Sequence, residues 1–221
     1  MTDKGPLPDS DISRAEFVYR QVREGIRSGL YRPGQRLREA QLAEALNTSR
    51  TPVREAIRRL ETDRLIEDVP GRGLAIAALD EAQVRELYQF RAALEGTAAE
   101  LAALHASAFD IAALREILEQ MRDAAAEAAR AAALNRRLHH GICQAARNTF
   151  LSHAMAPLND FMALLPGTTY QTPGRMADVL AEHEAIVTAI AQRAPAAAGA
   201  AMRAHIEAAG SFRLRMMFSP A

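Results

Sequence analysis

Leu37, Leu42, Ala45 and Leu46 recur at the spacing that lines one face of a 3.6-residue helix. The pattern breaks at Asn47-Thr48 and resumes with Val53, Ile57 and Leu60. That predicts a second helix with Ser49 in the N-cap position and Pro52 in the first turn. Its polar positions are as regular as its apolar ones. Arg50, Arg54 and Arg58 step along the opposite side at i, i+4 and i+8, so they project together. Two short apolar strands, 66–69 and 74–77, then flank Pro70-Gly71-Arg72-Gly73 and predict a basic hairpin. Helix, tight turn, helix and hairpin in that order predict a winged helix-turn-helix over residues 11–78. The polar, proline-bearing residues 1–10 read as a disordered arm ahead of it.

Beyond residue 79 strand character disappears and the apolar period stays helical. Asp80 stands where an N-cap belongs, and Val84, Leu87, Tyr88, Leu94, Ala98 and Leu101 follow at helical spacing. Further helices are predicted over 110–129, 131–146, 149–164 (interrupted at Pro157), 176–192 and 195–217, with a Pro/Gly/Thr loop over 166–175. The expected fold class is therefore mostly α: an N-terminal winged helix-turn-helix, then an all-helical antiparallel bundle of about six helices over 79–221.

Composition narrows the class. Hydrophobic residues make up 49% and charged residues 24%, as in a soluble globular protein, and the formal net charge is zero. The zero conceals a modest asymmetry. Residues 10–78 hold 13 Arg against 10 acidic residues, whereas residues 79–221 hold 13 Arg against 15. Cys143 is the only cysteine, so no intrachain disulfide exists; it reads as a small core residue, and a reducing cytoplasm fits. No apolar run approaches the roughly 18–20 residues that span a bilayer, so no membrane association is expected.

Guanidinium groups bind phosphates or bridge guanine O6 and N7, and hydroxyls at a helix start reach phosphate oxygens. Three arginines at helical spacing describe an ordinary solvated helix face equally well; the turn and the basic hairpin beside them shift the reading to double-stranded DNA. The segment 16–78, including YRQVREGIRSGLYRPGQRL and SRTPVRE, resembles the DNA-binding domain of the GntR family of bacterial transcription regulators. The resemblance implies base and phosphate contacts from Ser49, Arg50, Thr51 and Arg54, and minor-groove contacts from Gly71 and Arg72. Many members carry an Arg where Ala40 stands here, which leaves Arg36 or Arg38 to make that phosphate contact.

The helical half resembles the FCD ligand-binding domain of the FadR subfamily, through FRAALEGTAAELAA (90–103), NRRLHHGICQAARN (135–148), EHEAIVTAI (182–190) and AAMRAHI (200–206). Asn135 and His139 share a helix face at i, i+4, while His183 and His205 fall in the two last predicted helices. Histidines on helix faces are most often hydrogen-bonded core or surface residues. The resemblance instead implies a divalent transition metal, zinc or nickel, held by Asn135, His139, His183 and His205, with Asn135 in place of the family's Asp. His105, His140 and His153 are set aside as non-ligands. Arg91 lies in an otherwise apolar helix and either pairs with Glu95 on the helix surface or, as the resemblance implies, holds a carboxylate effector.

The function so implied is that of a cytoplasmic homodimeric transcription regulator, read as a repressor, whose operator affinity responds to a small organic acid. An enzyme is not expected, since no Gly-rich phosphate loop or nucleophile motif is present. A metal-dependent hydrolase in the bundle would need a placed general base, and neither Glu182 nor Glu184 is shown by sequence to point inward. A DNA-binding dimer without an effector is the other alternative.

Overall fold

The computed structural model describes residues 12–172 and 174–219; the expected arm over 1–10 lies outside them. The described residues form ten α-helices, one two-stranded sheet and one 3-10 turn, and divide into two compact units.

The first unit opens with α1 (Arg14–Arg27), capped by the Ser13 hydroxyl, which accepts from Glu16 N. α2 (Glu39–Ala45) and α3 (Arg50–Thr62) follow. The turn between them contains Asn47 in the left-handed region at φ 47°, which Asn tolerates better than most residues. Ser49 is the N-cap of α3 in backbone conformation, but its side chain makes no capping hydrogen bond, contrary to the usual role of that position. Strands β1 (Ile66–Val69) and β2 (Gly73–Ile76) pair antiparallel, with Ile66 opposite Ile76 and Val69 opposite Gly73. The second strand thus begins one residue before the expected 74–77. Gly71 and Gly73, both at φ 75°, supply the positive-φ positions of the tight wing turn. Val18, Val22, Val53, Ala56, Leu60 and Ile76 have essentially no exposure and form the centre of this unit's core.

One departure from the expected boundary at residue 79 concerns α8 (Leu158–Ala163). Residues Leu158–Pro166 belong to the first unit rather than to the bundle. The physical reason is burial. Leu164 joins the same core at 1% exposure, Phe161 and Ala163 pack against it, and the buried Asp160 carboxylate accepts from both Arg23 and Arg27 of α1. Pro157 ends the preceding helix because it cannot donate an amide and clashes with the turn before it.

The second unit comprises α4 (Glu81–His105), α5 (Ala108–Asp123), α6 (Ala128–Ala145), α7 (Thr149–Met155), the 3-10 turn Thr169–Gln171, α9 (Arg175–Ala191) and α10 (Pro195–Phe218). Asp80 and Ser107 start α4 and α5 with reciprocal capping boxes, and Asn148 caps α7. The longest helices, α4 and α10, approach closely through small residues. A Cβ on Gly199 would strike the Glu100 side chain at 2.3–2.7 Å, and one on Gly210 would strike Tyr88 at 2.9–3.0 Å.

Candidate nucleic-acid interface and metal centre

In the first unit, α3 buries Val53, Ala56, Ile57 and Leu60 and thereby turns its other side outward. Arg50, Thr51, Arg54 and Arg58 are all exposed, as are Ser49 and Arg38. Arg54 Nε donates to Glu39 Oε2 at 2.8 Å, an exposed pair that costs little to break. An open depression at the head of α3 is lined by Ser13, Arg14, Thr48, Ser49 and Thr51, a hydroxyl-rich floor beside amides of the helix start. At the hairpin tip Gly71 and Arg72 are exposed, and Arg72 N donates to Val69 O at 2.9 Å, closing the turn.

In the second unit, the helical spacing of Asn135 and His139 on α6 combines with His183 of α9 and His205 of α10. One nitrogen from each of the three imidazoles lies within 4.8 Å of the others. His183 Nε2 and His205 Nε2 are 3.2 Å apart, and the ring centroids are separated by 4.5–5.4 Å. His105, His140 and His153 are exposed and outside this cluster.

Two carboxylates orient the rings. Glu95 of α4 accepts from Arg91 Nε at 2.8 Å with one oxygen and meets His139 Nδ1 with the other. Glu182 of α9 accepts both Nη groups of Arg175, at 2.8 and 3.1 Å, and faces His205 Nδ1 at 2.6 Å. Each glutamate therefore takes up one Nδ1 and leaves the Nε2 of the same ring directed elsewhere. His139 Nε2 and Asn135 Oδ1 are buried with no hydrogen-bond partner among the described residues.

The electrostatics follow from burial and pairing. Burial alone raises the Glu95 carboxyl, but the Arg91 charge and the hydrogen bonds from His139 and Arg91 outweigh it and hold the group far below the ordinary carboxylate range. Glu182 is likewise lowered: burial opposes, and hydrogen bonds from His205 and Arg175 prevail. Burial pushes His183 well below its usual value. His205 falls to about 4, burial again leading, with Glu182 opposing. Neutral imidazoles are the form that ligates a metal.

The orphaned Asn135 Oδ1 and His139 Nε2 fit a cation. Two neutral rings meeting Nε2 to Nε2 require one to donate, whereas a metal takes both lone pairs. Three converging imidazoles are a donor set for a divalent transition metal.

Of the expected ligands the structure brings His139, His183 and His205 together, with a shell of charged residues that the sequence did not point to. Arg91 does pair with Glu95 at i+4, yet in the interior, at 7% and 4% exposure, not on the helix surface. Glu182 points inward, unlike Glu184, which pairs with Arg122. Arg175, at 2% exposure, lay in what read as a loop. The available signal was an Arg seven residues before a Glu, two turns along one helix face.

A winged helix-turn-helix joined to a helical unit with a buried polar cluster defines a class: DNA-binding transcription regulators with an effector domain. Residues 14–76 match the profile of bacterial regulatory proteins, gntR family, and residues 86–208 that of the FCD domain, so the chain belongs to the GntR family. It is 30% identical over 190 residues to the uncharacterized HTH-type transcriptional regulator YdhC of Bacillus subtilis, covering 85% of each chain. It is 28% identical over 216 residues to the Glc operon transcriptional activator of Escherichia coli, covering 86% of this chain and 85% of that one. Escherichia coli McbR/YncC shares the fold with a TM-score of 0.76 at 21% identity, over 94% of this chain and 100% of that one. These relatives are regulators, not enzymes. No described helix is long and apolar enough to cross a membrane.

Proposed function

We propose that this regulator works as a cytoplasmic homodimer that reads a pseudo-palindromic operator, acting as a repressor, and changes operator affinity when a small carboxylate binds a metal in the helical unit. Arg50 and Arg54 contact base edges or phosphates, Ser49, Thr51 and Arg38 contact phosphates, and Gly71 and Arg72 enter the minor groove. Asn135, His139, His183 and His205 hold the ion, zinc or nickel. Glu95 and Glu182 act behind the ligands, keeping the Nε2 lone pairs of His139 and His205 available. Arg91 and Arg175 neutralise those glutamates, and Arg91 orients toward the effector from within its Glu95 pair.

The observation that carries the sensing part is the convergence of three imidazole nitrogens, with the Asn135 oxygen buried and partnerless one helical turn from His139. The test is metal analysis of protein purified without a tag, combined with footprinting on the DNA upstream of its own gene. One divalent ion per chain is expected, together with a two-fold symmetric footprint that Arg50→Ala and Arg54→Ala each weaken. A footprint unchanged by both substitutions rejects the α3 assignment; protein that takes up no zinc or nickel rejects the metal.

A further inference from the structure

The charges buried around the histidines form two self-neutralising pairs. Arg91 with Glu95 and Arg175 with Glu182 each sum to zero, and each glutamate faces a histidine while its arginine lies behind. All four are joined by hydrogen bonds to one another or to the histidines. The remaining ligand candidates, three imidazoles and the Asn135 amide, carry no charge of their own as ligands. A divalent ion in this donor set therefore leaves the interior with two uncompensated positive charges. His183 and His205 are at 0% and 4% exposure, so solvent does little to screen them.

From this balance we propose that the effector of this chain is a dianion, a dicarboxylate, and that monocarboxylates bind weakly because they leave one buried charge unmet. The proposal rests on the metal reading above and adds to it the charge of the ligand. One carboxylate meets the ion. The second supplies the remaining negative charge, since each guanidinium is already matched by its own glutamate. Asn135 sets the preference. Its amide is the one ligand position where a same-sized side chain would add a negative charge, and such a charge would take over one of the two that the effector supplies.

The test uses the full-length, tag-free protein loaded with one equivalent of zinc, titrated calorimetrically with matched pairs: propionate against malonate, and butyrate against succinate. For at least one pair the dicarboxylate is expected to bind about tenfold or more tightly than its partner, the effect of one poorly screened charge. Asn135→Asp is expected to cut that ratio about tenfold while tightening zinc. The neutral Asn135→Ser keeps the ratio and loosens zinc, which separates charge from shape and serves if the Asp variant does not fold. Equal affinities within both pairs, no dicarboxylate binding to zinc-loaded protein, or a ratio lost in Asn135→Ser would each overturn the dianion inference while leaving the metal in place. Failure to take up zinc at all overturns the metal reading, and the inference with it.

Discussion

His205 Nδ1 lies 2.6 Å from Glu182 Oε2, and the same carboxylate takes both Nη groups of Arg175. One glutamate thus fixes the proton of a candidate metal ligand and neutralises an arginine with 2% exposure. Glu182→Gln keeps the shape but removes the charge. Zinc affinity, measured by competition with a chelator, is expected to fall about 10- to 100-fold, the usual cost of losing a carboxylate behind a histidine ligand. An unchanged zinc affinity would show that Glu182 serves Arg175 alone.

Asp160 makes a comparable arrangement in the first unit, where it accepts from Arg23 and Arg27 of α1 and is itself at 3% exposure. Removing one partner of a buried ion pair leaves the other uncompensated. The two arginines here are partly exposed, with side chains at 27% and 38%, and water recovers part of the loss. Asp160→Ala is therefore expected to destabilise the winged unit by about 1–3 kcal/mol. Urea unfolding, followed by hydrogen exchange of α1 amides, reads the effect. Exchange that accelerates only in the bundle helices would contradict the assignment of residues 158–166 to the first unit.

Most of the architecture was legible in residue spacing. Both helices of the DNA-reading motif and the wing stand out by periodicity and turn residues, whereas the three histidines, on separate helices, were singled out by the family resemblance. What escaped were features set by tertiary contact. Nothing in the sequence of α8 distinguishes a helix that completes the winged unit from one that stays in the bundle; Leu164 and Asp160 acquire that role only because α1 presents Arg23, Arg27 and an apolar stripe. Similarly, Glu95 and Glu182 are ordinary glutamates on helices until His139 and His205 face them from other elements. Alternation and period report which side of an element is buried, but not which partner waits there.

Arg54 is held by Glu39 at 2.8 Å in an exposed pair that the proposed contact of Arg54 with DNA would break. Such pairs contribute about 0.2–1 kcal/mol. Glu39→Gln is therefore expected to tighten operator binding by roughly that amount, helped by the loss of a negative charge facing the phosphates. Fluorescence anisotropy at fixed salt measures it. The same substitution in an Arg54→Ala background should gain less, and an equal gain in both backgrounds would mean that Glu39 acts on DNA without Arg54.

Acid stability of the metal-free protein follows from the buried histidines. His205 has a folded value of about 4 against an ordinary 6.5, with burial the leading cause. Between those values the unfolded chain holds a proton that the folded chain does not, so stability rises with pH across this window and falls on acidification. The loss begins as pH drops below about 6.5 and is complete near 4, amounting to on the order of 3 kcal/mol for this group alone. His183 is displaced in the same direction and adds to the slope. Glu182, whose value is lowered from 4.5, loses its contribution only below that pH, so the interval from about 4.5 to 6.5 belongs to the imidazoles. Metal-free protein should therefore melt at progressively lower temperature from pH 7 to pH 5. His205→Gln, which cannot take the proton, should flatten part of that decline even though it lowers stability at pH 7. Parallel declines in the two proteins would mean that His205 is already solvated or protonated in the fold, and the neutral cluster described above would have to be abandoned.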